Sequence, residues 1–186
     1  MSDAARDIVR NNVREKLARG EVVASMTVRL ARSIEIARIA KSAGFDTIYV
    51  DVEHSSLSLE TTGQICIAAL GIGIAPFVRV PSTRPEHVSR ALDAGALGVI
   101  APHIRSTEEA RAVVASAKFP PHGERSTGGG LPHLHYRSFP AAEASAASVS
   151  ARAPASRTAR PASPPATGAQ VRRAGAPRPA RAGVAR

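Results

Sequence analysis

The sequence predicts an α/β fold built from four successive strand–helix units. Over residues 1–140 the hydrophobic spacing alternates between about two and about 3.6 residues, which is typical of alternating strands and helices. The predicted strands begin near residues 22, 46, 75 and 97, roughly one strand–helix unit apart. Their almost continuous apolar runs favour a parallel sheet covered by helices. Two architectures stay open: an open doubly wound sheet, or part of a (β/α)₈ barrel.

The first predicted elements are a charged helix over about residues 4–19 and a strand at 22–28. The segment "SIEIARIAKSAG" predicts a helix with Ser33 as its N-cap and Gly44 as its stop. The residues expected on its buried face follow i, i+3, i+4, i+7 spacing and are Ile36, Ile39, Ala40 and Ala43. "DTIYVD" at 46–51 then predicts the second strand.

The remaining elements continue the alternation. "LSLETTGQICIAAL" predicts a helix, "APFVRV" a strand, "PEHVSRALDAG" a helix and "LGVIAP" a strand. The last helix, "STEEARAVVASA", begins at Ser106 with Glu109 three residues later, which is the spacing of a capping box. Cys66 is the only cysteine, so no intrachain disulfide forms, and its apolar surroundings predict a buried, unreactive thiol.

Charge divides the chain into two parts. Residues 1–140 hold 17 Lys and Arg against 14 Asp and Glu, whereas residues 141–186 hold 8 Arg and one acid, Glu143. The second part has no aromatic residue and no Leu, Ile or Met, so it cannot bury enough apolar surface to offset the entropy of ordering. We therefore expect one domain over 1–143 and a disordered tail rich in Ala, Arg and Pro over 144–186.

The charge distribution also bears on partners and compartment. The nearly neutral domain gives no reason to expect nucleic acid, although eight arginines in the tail leave open a non-specific, salt-dependent binding of anions or nucleic acid. The tail has no aromatic residue to stack on bases. The N-terminus lacks the apolar core of a signal peptide. The run "ICIAALGIGIAPFV" has 14 residues and is too short to span a bilayer. We expect a cytoplasmic protein without a membrane partner.

Ionisable side chains follow the predicted strands where chemistry collects in parallel α/β folds. Asp51, Glu53 and His54 come after the second strand, Arg79 closes the third, and His103 follows the fourth. Adjacent strands are expected to bring Asp51, His54 and Arg79 to one rim. A structural ion pair between Asp51 and Arg79 is the alternative. No G-x-G-x-x-G follows the first strand, so a dinucleotide site has no support.

Other polar features have simpler interpretations. His87, His122, His133 and His135 lie in surface-helix or loop contexts without the spacing of metal ligands, and we expect them to be structural or solvated. The run Gly128–Gly130 lacks the Lys-Ser/Thr ending of a phosphate-binding loop, so it predicts a flexible loop.

Four segments follow one another along the chain: "AGFDTIYVDVEHSSLS", "FVRVP", "ALDAGALGVIAPHIRSTEEAR" and "KFPPHGERSTGGG". From about residue 5 to about residue 143 the chain resembles the HpcH/HpaI aldolase family, the class II pyruvate-type aldolases related to citrate lyase β subunits. The resemblance implies a (β/α)₈ barrel, of which this chain carries about four units. It also implies cleavage or formation of a C–C bond in 4-hydroxy-2-oxo acids, giving pyruvate or a related 2-oxo acid and an aldehyde.

The resemblance further implies roles for the rim residues. His54 matches the acid/base histidine, and Arg79 matches the arginine that contacts the keto oxygen. Asp51 is expected to orient Arg79 or His54, with Glu53 as a supporting carboxylate. A divalent ion, Mg²⁺, Mn²⁺ or Co²⁺, is expected to bind the 2-oxo acid and stabilise the enolate. The family assembles as a homotrimer or hexamer through C-terminal helices.

The chain departs from the family after residue 143. The family's metal ligands, a Glu and an Asp in the second half of the barrel, have no counterpart here, so we expect the metal site to be incomplete. An inactive remnant acting as a scaffold is therefore an alternative function. We hypothesise a truncated gene or a shifted reading frame near residues 144–150, tested by reading the DNA in the other two frames. A half barrel leaves two open sheet edges, which predicts misfolding or self-association.

Overall fold

The computed structural model describes residues 8–150. They contain one parallel sheet in the order β1-β2-β3-β4. The strands are β1 (Ser25–Val28), β2 (Thr47–Asp51), β3 (Ala75–Arg79) and β4 (Gly98–Ile100). Each strand pairs with the next one along the chain, and a helix covers every crossover. The prediction of an α/β parallel sheet of four strand–helix units is confirmed.

Six α-helices and one short 3₁₀ turn surround the strands in the described part of the chain. The helices are α1 (Asn12–Ala18), α2 (Glu35–Ser42), α3 (Leu59–Gly71), α4 (Pro85–Asp93), α5 (Thr107–Ala117) and α6 (Ala141–Ser150), and the 3₁₀ turn is Pro132–Leu134. Helix α5 begins as predicted, because Ser106 Oγ accepts the Glu109 N–H at 3.1 Å. Helix α3 begins in the same way, with Ser58 Oγ accepting the Thr61 N–H at 3.1 Å.

The strand register places the ends of three strands side by side. Asp51, the last residue of β2, pairs with Arg79, the last residue of β3. Arg79 in turn pairs with Ile100, the last residue of β4. Side chains that end or follow these strands therefore share one edge of the sheet, which we call the rim.

The main core lies between the sheet and its helices. Ile48, Val50 and Val78 on the central strands are at most 2% exposed. Helix α3 contributes Cys66, which is fully buried, and burial raises the pKa of its thiol to about 12. Cys66 is therefore buried, as the sequence predicts, and the raised pKa of its thiol makes it unreactive. On β4, a Cβ at Gly98 would lie 2.6 Å from the ring of Phe77, so this position admits no side chain without displacing that ring.

Helix α2 corrects one prediction. Ile36 and Ala40 face the core as expected, but Ile39 is 57% exposed, Ala43 is also exposed, and Ala37 is fully buried. The N-cap is Ile34 rather than Ser33. Apolar residues occur on both faces of this helix, so their spacing could not tell which face the sheet covers.

A second apolar cluster contains part of the segment predicted to be disordered. Ala144 is 7% exposed and Ala147 is fully buried in helix α6, where both pack with Phe119, Leu131 and Leu134. The prediction of a disordered tail is wrong for residues 144–150, which form the last part of helix α6 and pack Ala144 and Ala147 into this cluster. The remainder of the predicted tail, 151–186, and its arginines lie outside the described residues.

The outer strands β1 and β4 each have one strand neighbour among residues 8–150. Apolar side chains lie near both edges: Leu30 is 92% exposed beyond β1, and Ile100 is 40% exposed on β4. Self-association through these edges stays a prediction. In the described part of the chain, no helix is both long enough and apolar enough to cross a bilayer.

Candidate active site

Asp51 is the most deeply buried acid of the rim. Its side chain is 0% exposed, yet it accepts five polar contacts. Oδ1 accepts the backbone N–H groups of Glu53 and His54, each at 3.1 Å. These two bonds hold the turn that follows β2. The Arg79 side chain supplies the largest electrostatic contribution: its hydrogen bonds lower the pKa of the Asp51 carboxyl to about 2.

Arg79 is held by a two-point contact with Asp51. Its Nε lies 3.0 Å from Oδ1 and its Nη2 lies 2.5 Å from Oδ2, a fork geometry that fixes the guanidinium plane. The guanidinium carbon also lies 5.7 Å from the centre of the Tyr49 ring. The hydrogen bonds that Arg79 donates to Asp51 raise the pKa of the guanidinium, so the group carries a permanent positive charge. Its side chain is 25% exposed and is thus accessible from the rim.

Glu53 and His54 lie on the solvent side of this pair. The Glu53 side chain is 9% exposed, and its Oε2 lies 3.3 Å from Arg79 Nε. The same oxygen lies 3.6 Å from His54 Nε2, which is longer than a hydrogen bond. The His54 imidazole is 53% exposed. Asp51 contacts His54 through the backbone N–H, so Glu53 is the carboxylate nearest to the imidazole in the described contacts.

Two rim residues had no assigned role in the sequence prediction. Arg29 follows β1 and lies 3.3 Å from Asp51 Oδ2, while its Nη2 donates to the His54 carbonyl at 2.8 Å. His103 follows β4, and its Nε2 lies 2.7 Å from Glu53 Oε1. Arg29 comes directly after β1, and His103 lies three residues after the end of β4. The strand-end rule that singled out Asp51 and Arg79 could therefore have identified Arg29 too.

The other histidines lie apart from this cluster. His87 Nδ1 bonds to Ser82 Oγ at 2.8 Å, and His133 Nε2 bonds to the Ala96 carbonyl at 2.9 Å. His133 and His135 line a cavity of about 380 Å³ that also contacts Ile74 and Leu97, the residues that precede β3 and β4 by one. That cavity therefore lies at the end of the sheet opposite the rim.

The rim acids do not fit a divalent ion. Asp51 is fully occupied by Arg79, Arg29 and backbone N–H groups, and Glu53 contacts Arg79 and His103. Among residues 8–150, no three His, Cys, Asp or Glu side chains converge in a way that could hold a metal. The arrangement supplies a fixed cation and an imidazole instead. It can stabilise a developing oxyanion and transfer a proton beside it.

Comparison with known proteins gives a consistent result. The family model described as HpcH/HpaI aldolase/citrate lyase matches residues 25–153. The 4-hydroxy-4-methyl-2-oxoglutarate aldolase tasA of Hapsidospora irregularis is 41% identical over 131 residues, 70% of this chain and 48% of that protein. The 4-hydroxy-4-methyl-2-oxoglutarate aldolase cghB of Chaetomium globosum is 42% identical over 128 residues, 68% of this chain and 48% of that protein.

Solved structures agree with the sequence relatives. The crystal structure of an HpcH/HpaI aldolase from Desulfitobacterium hafniense superposes with a TM-score of 0.65 at 34% identity, covering 69% of this chain and 49% of that one. This likeness confirms the predicted relation of the four strand–helix units to the (β/α)₈ barrel family. The chain spans about half the length of the curated relatives it matches.

Proposed function

The chain belongs to the HpcH/HpaI aldolase/citrate lyase family, and from this premise we propose that its rim cleaves the C–C bond of a 4-hydroxy-2-oxo acid. The products are pyruvate, or a related 2-oxo acid, and a carbonyl compound. The observation that carries the proposal is the Arg79 guanidinium, which is fixed by a fully buried carboxylate and shares the Glu53 carboxylate oxygen with the exposed imidazole of His54.

Arg79 is suited to the charge that this cleavage creates. When the C3–C4 bond breaks, its electrons move to form an enolate with negative charge on the C2 oxygen. The contacts with Asp51 and Glu53 use the Nε–H and one N–H of Nη2, so the two N–H groups of Nη1 and the second N–H of Nη2 can meet this oxygen. A pre-positioned cation needs no reorganisation as the charge develops.

His54 is suited to the proton transfer of the same step. The C4 hydroxyl must lose its proton as the new carbonyl forms, and the enolate must later gain one at C3. An imidazole changes charge near neutral pH, so it can accept the first proton. The turn held by Asp51 and by the Arg29 bond to the His54 carbonyl fixes the backbone from which this ring projects.

The names of the relatives suggest the first substrate to test. Cleavage of 4-hydroxy-4-methyl-2-oxoglutarate between C3 and C4 yields two molecules of pyruvate, so the carbonyl product is a 2-oxo acid rather than an aldehyde. Both of these relatives bear the name of this activity. A 4-hydroxy-2-oxo acid without the methyl group, which gives an aldehyde, is the matched alternative.

The test is pyruvate release by the full chain from each substrate, with Mg²⁺, Mn²⁺ or Co²⁺ and with a chelator. The family resemblance implies a divalent ion, whereas the described rim acids do not fit one, so the ion series and the chelator decide whether pyruvate release by this chain depends on a metal. His54→Ala and Arg79→Ala are each expected to lower kcat/KM about 100-fold or more. His135→Ala and Arg19→Ala are the matched controls, because His135 lies at the opposite end of the sheet and Arg19 forms an exposed pair with Glu21.

Two results would contradict this function. A folded wild-type protein that releases no pyruvate from either substrate, with any ion, would leave the scaffold interpretation. Equal losses in the controls and in the rim variants would show that activity follows general stability rather than the rim.

A further inference from the structure

The Glu53 carboxylate joins residues from three strand ends. Its Oε2 lies 3.3 Å from Arg79 Nε and 3.6 Å from His54 Nε2. Its Oε1 lies 2.7 Å from His103 Nε2. One nearly buried carboxylate thus contacts both residues to which chemistry is assigned, and its second oxygen is held by a residue that has no assigned role.

His103 reaches Glu53 across the end of an intervening strand. Glu53 follows β2, His103 follows β4, and β3 lies between those strands with Arg79 as its last residue. The His103 backbone has φ = 57°, in the left-handed region that residues other than glycine rarely adopt. Such conformations concentrate at functional sites, where the surrounding structure maintains them.

The direction of the bond follows from its chemistry. A carboxylate oxygen can only accept a hydrogen bond, so the proton in this bond is carried by His103 Nε2. This bond restricts rotation of the Glu53 carboxylate and keeps Oε2 facing the two catalytic groups. Without the bond to His103, Glu53 Oε1 would lose this hydrogen-bond donor. The Glu53 carboxylate could then rotate away from Arg79 towards solvent.

We propose that His103 is a positioning residue that fixes Glu53 between Arg79 and His54 during catalysis. This inference rests on the C–C bond cleavage proposed above. A merely structural contact is the alternative, since the His103 side chain is 72% exposed. Exposed pairs contribute little to folding stability. The two interpretations therefore differ in their effect on turnover rather than on unfolding.

The first experiment compares variants of position 103 in the full chain. His103→Ala is expected to lower kcat about tenfold, the lower end of the effect of residues that orient an active group, with KM changed less than about twofold. His103→Gln places an amide nitrogen near the position of Nε2 and is expected to restore kcat to within about threefold of wild type. His135→Ala is the control, because His135 also has a left-handed backbone, with φ = 51°, and lies away from the rim.

The second experiment tests whether the effect of His103 on kcat acts through Glu53. In a Glu53→Gln background, His103→Ala is expected to cause no further loss, because the group that it positions has already changed. An unchanged kcat in His103→Ala, with active wild type, would overturn the inference and leave the proposed function intact. So would a full tenfold loss in the Glu53→Gln background. Absence of pyruvate release by the wild type would refute both.

Discussion

Strand β2 has an aspartate immediately before it and another at its end, in different surroundings. Asp46 precedes the strand, where its Oδ1 lies 2.6 Å from Lys16 Nζ and its Oδ2 accepts the Ala24 N–H at 3.0 Å. The Asp46 carbonyl also accepts from the Asn12 side chain at 2.9 Å. These contacts fasten helix α1 to the sheet. Asp51, five residues later, meets two arginines and the turn that carries His54.

The pKa of each aspartate is depressed by its cation. The Lys16 hydrogen bond lowers the pKa of Asp46, and the Arg79 hydrogen bonds lower that of Asp51 to about 2. An ion pair with a shifted pKa therefore does not by itself identify a reactive site. The two ends differ because the Asp51 end adds a second carboxylate, Glu53, which contacts the same guanidinium and two imidazoles.

The largest expected effect comes from Asp51→Asn. The substitution leaves the Arg79 charge without its buried partner, and breaking such pairs costs about 3 kcal/mol or more of unfolding free energy. We also expect kcat/KM to fall at least about 100-fold, because Arg79 loses its fixed orientation. Urea unfolding and pyruvate release measure the two effects. If Asp51→Asn keeps full activity and lowers the unfolding free energy by less than about 1 kcal/mol, Asp51 has no larger role than Asp46.

The second prediction concerns the pH dependence of stability. Because the folded-state pKa of Asp51 is depressed to about 2, its stabilisation is present above the unfolded pKa and is lost as pH falls towards 2. The advantage of wild type over Asp51→Asn should shrink by on the order of 2 kcal/mol between about pH 5 and pH 2. Urea titrations at half-unit intervals of pH measure the difference. A constant difference over this range would contradict the ion pair as its source.

The smallest effect is expected from Asp46→Asn. The Asp46 side chain is 13% exposed and its partner Lys16 is 34% exposed, so the pair is close to solvent. We expect a loss of about 0.5–1 kcal/mol in unfolding free energy and kcat/KM within about twofold of wild type. The same unfolding and pyruvate assays apply. A loss of activity comparable with that of Asp51→Asn would remove the distinction between the two ends.

The parts of the fold and site predicted from the sequence rest on local signals. Ser106 with Glu109 predicted the start of α5, and the apolar runs before Asp51 and Arg79 predicted two parallel strands with their polar residues at one edge. The meeting of Asp51 and Arg79 followed, because in-register parallel strands that end together place their last residues side by side.

The parts that could not be predicted depend on tertiary contacts. Whether α2 buries Ile39 or Ala37 is decided by the neighbouring elements, since both residues suit a helix. The order of helix α6 depends on Phe119 and Leu131, which are distant in sequence from Ala147. The contact of His103 with Glu53 requires a left-handed backbone at a position where no glycine signals it.

The reactivity of the single buried cysteine can report local opening of the fold. Cys66 is fully buried and its thiol is almost wholly protonated at neutral pH, so a maleimide can react with it only when helix α3 leaves the sheet. The rate of labelling under native conditions would measure that opening directly. Because the chain has no other cysteine, a new one introduced on the surface could carry a fluorophore at a defined site without background labelling of the folded protein.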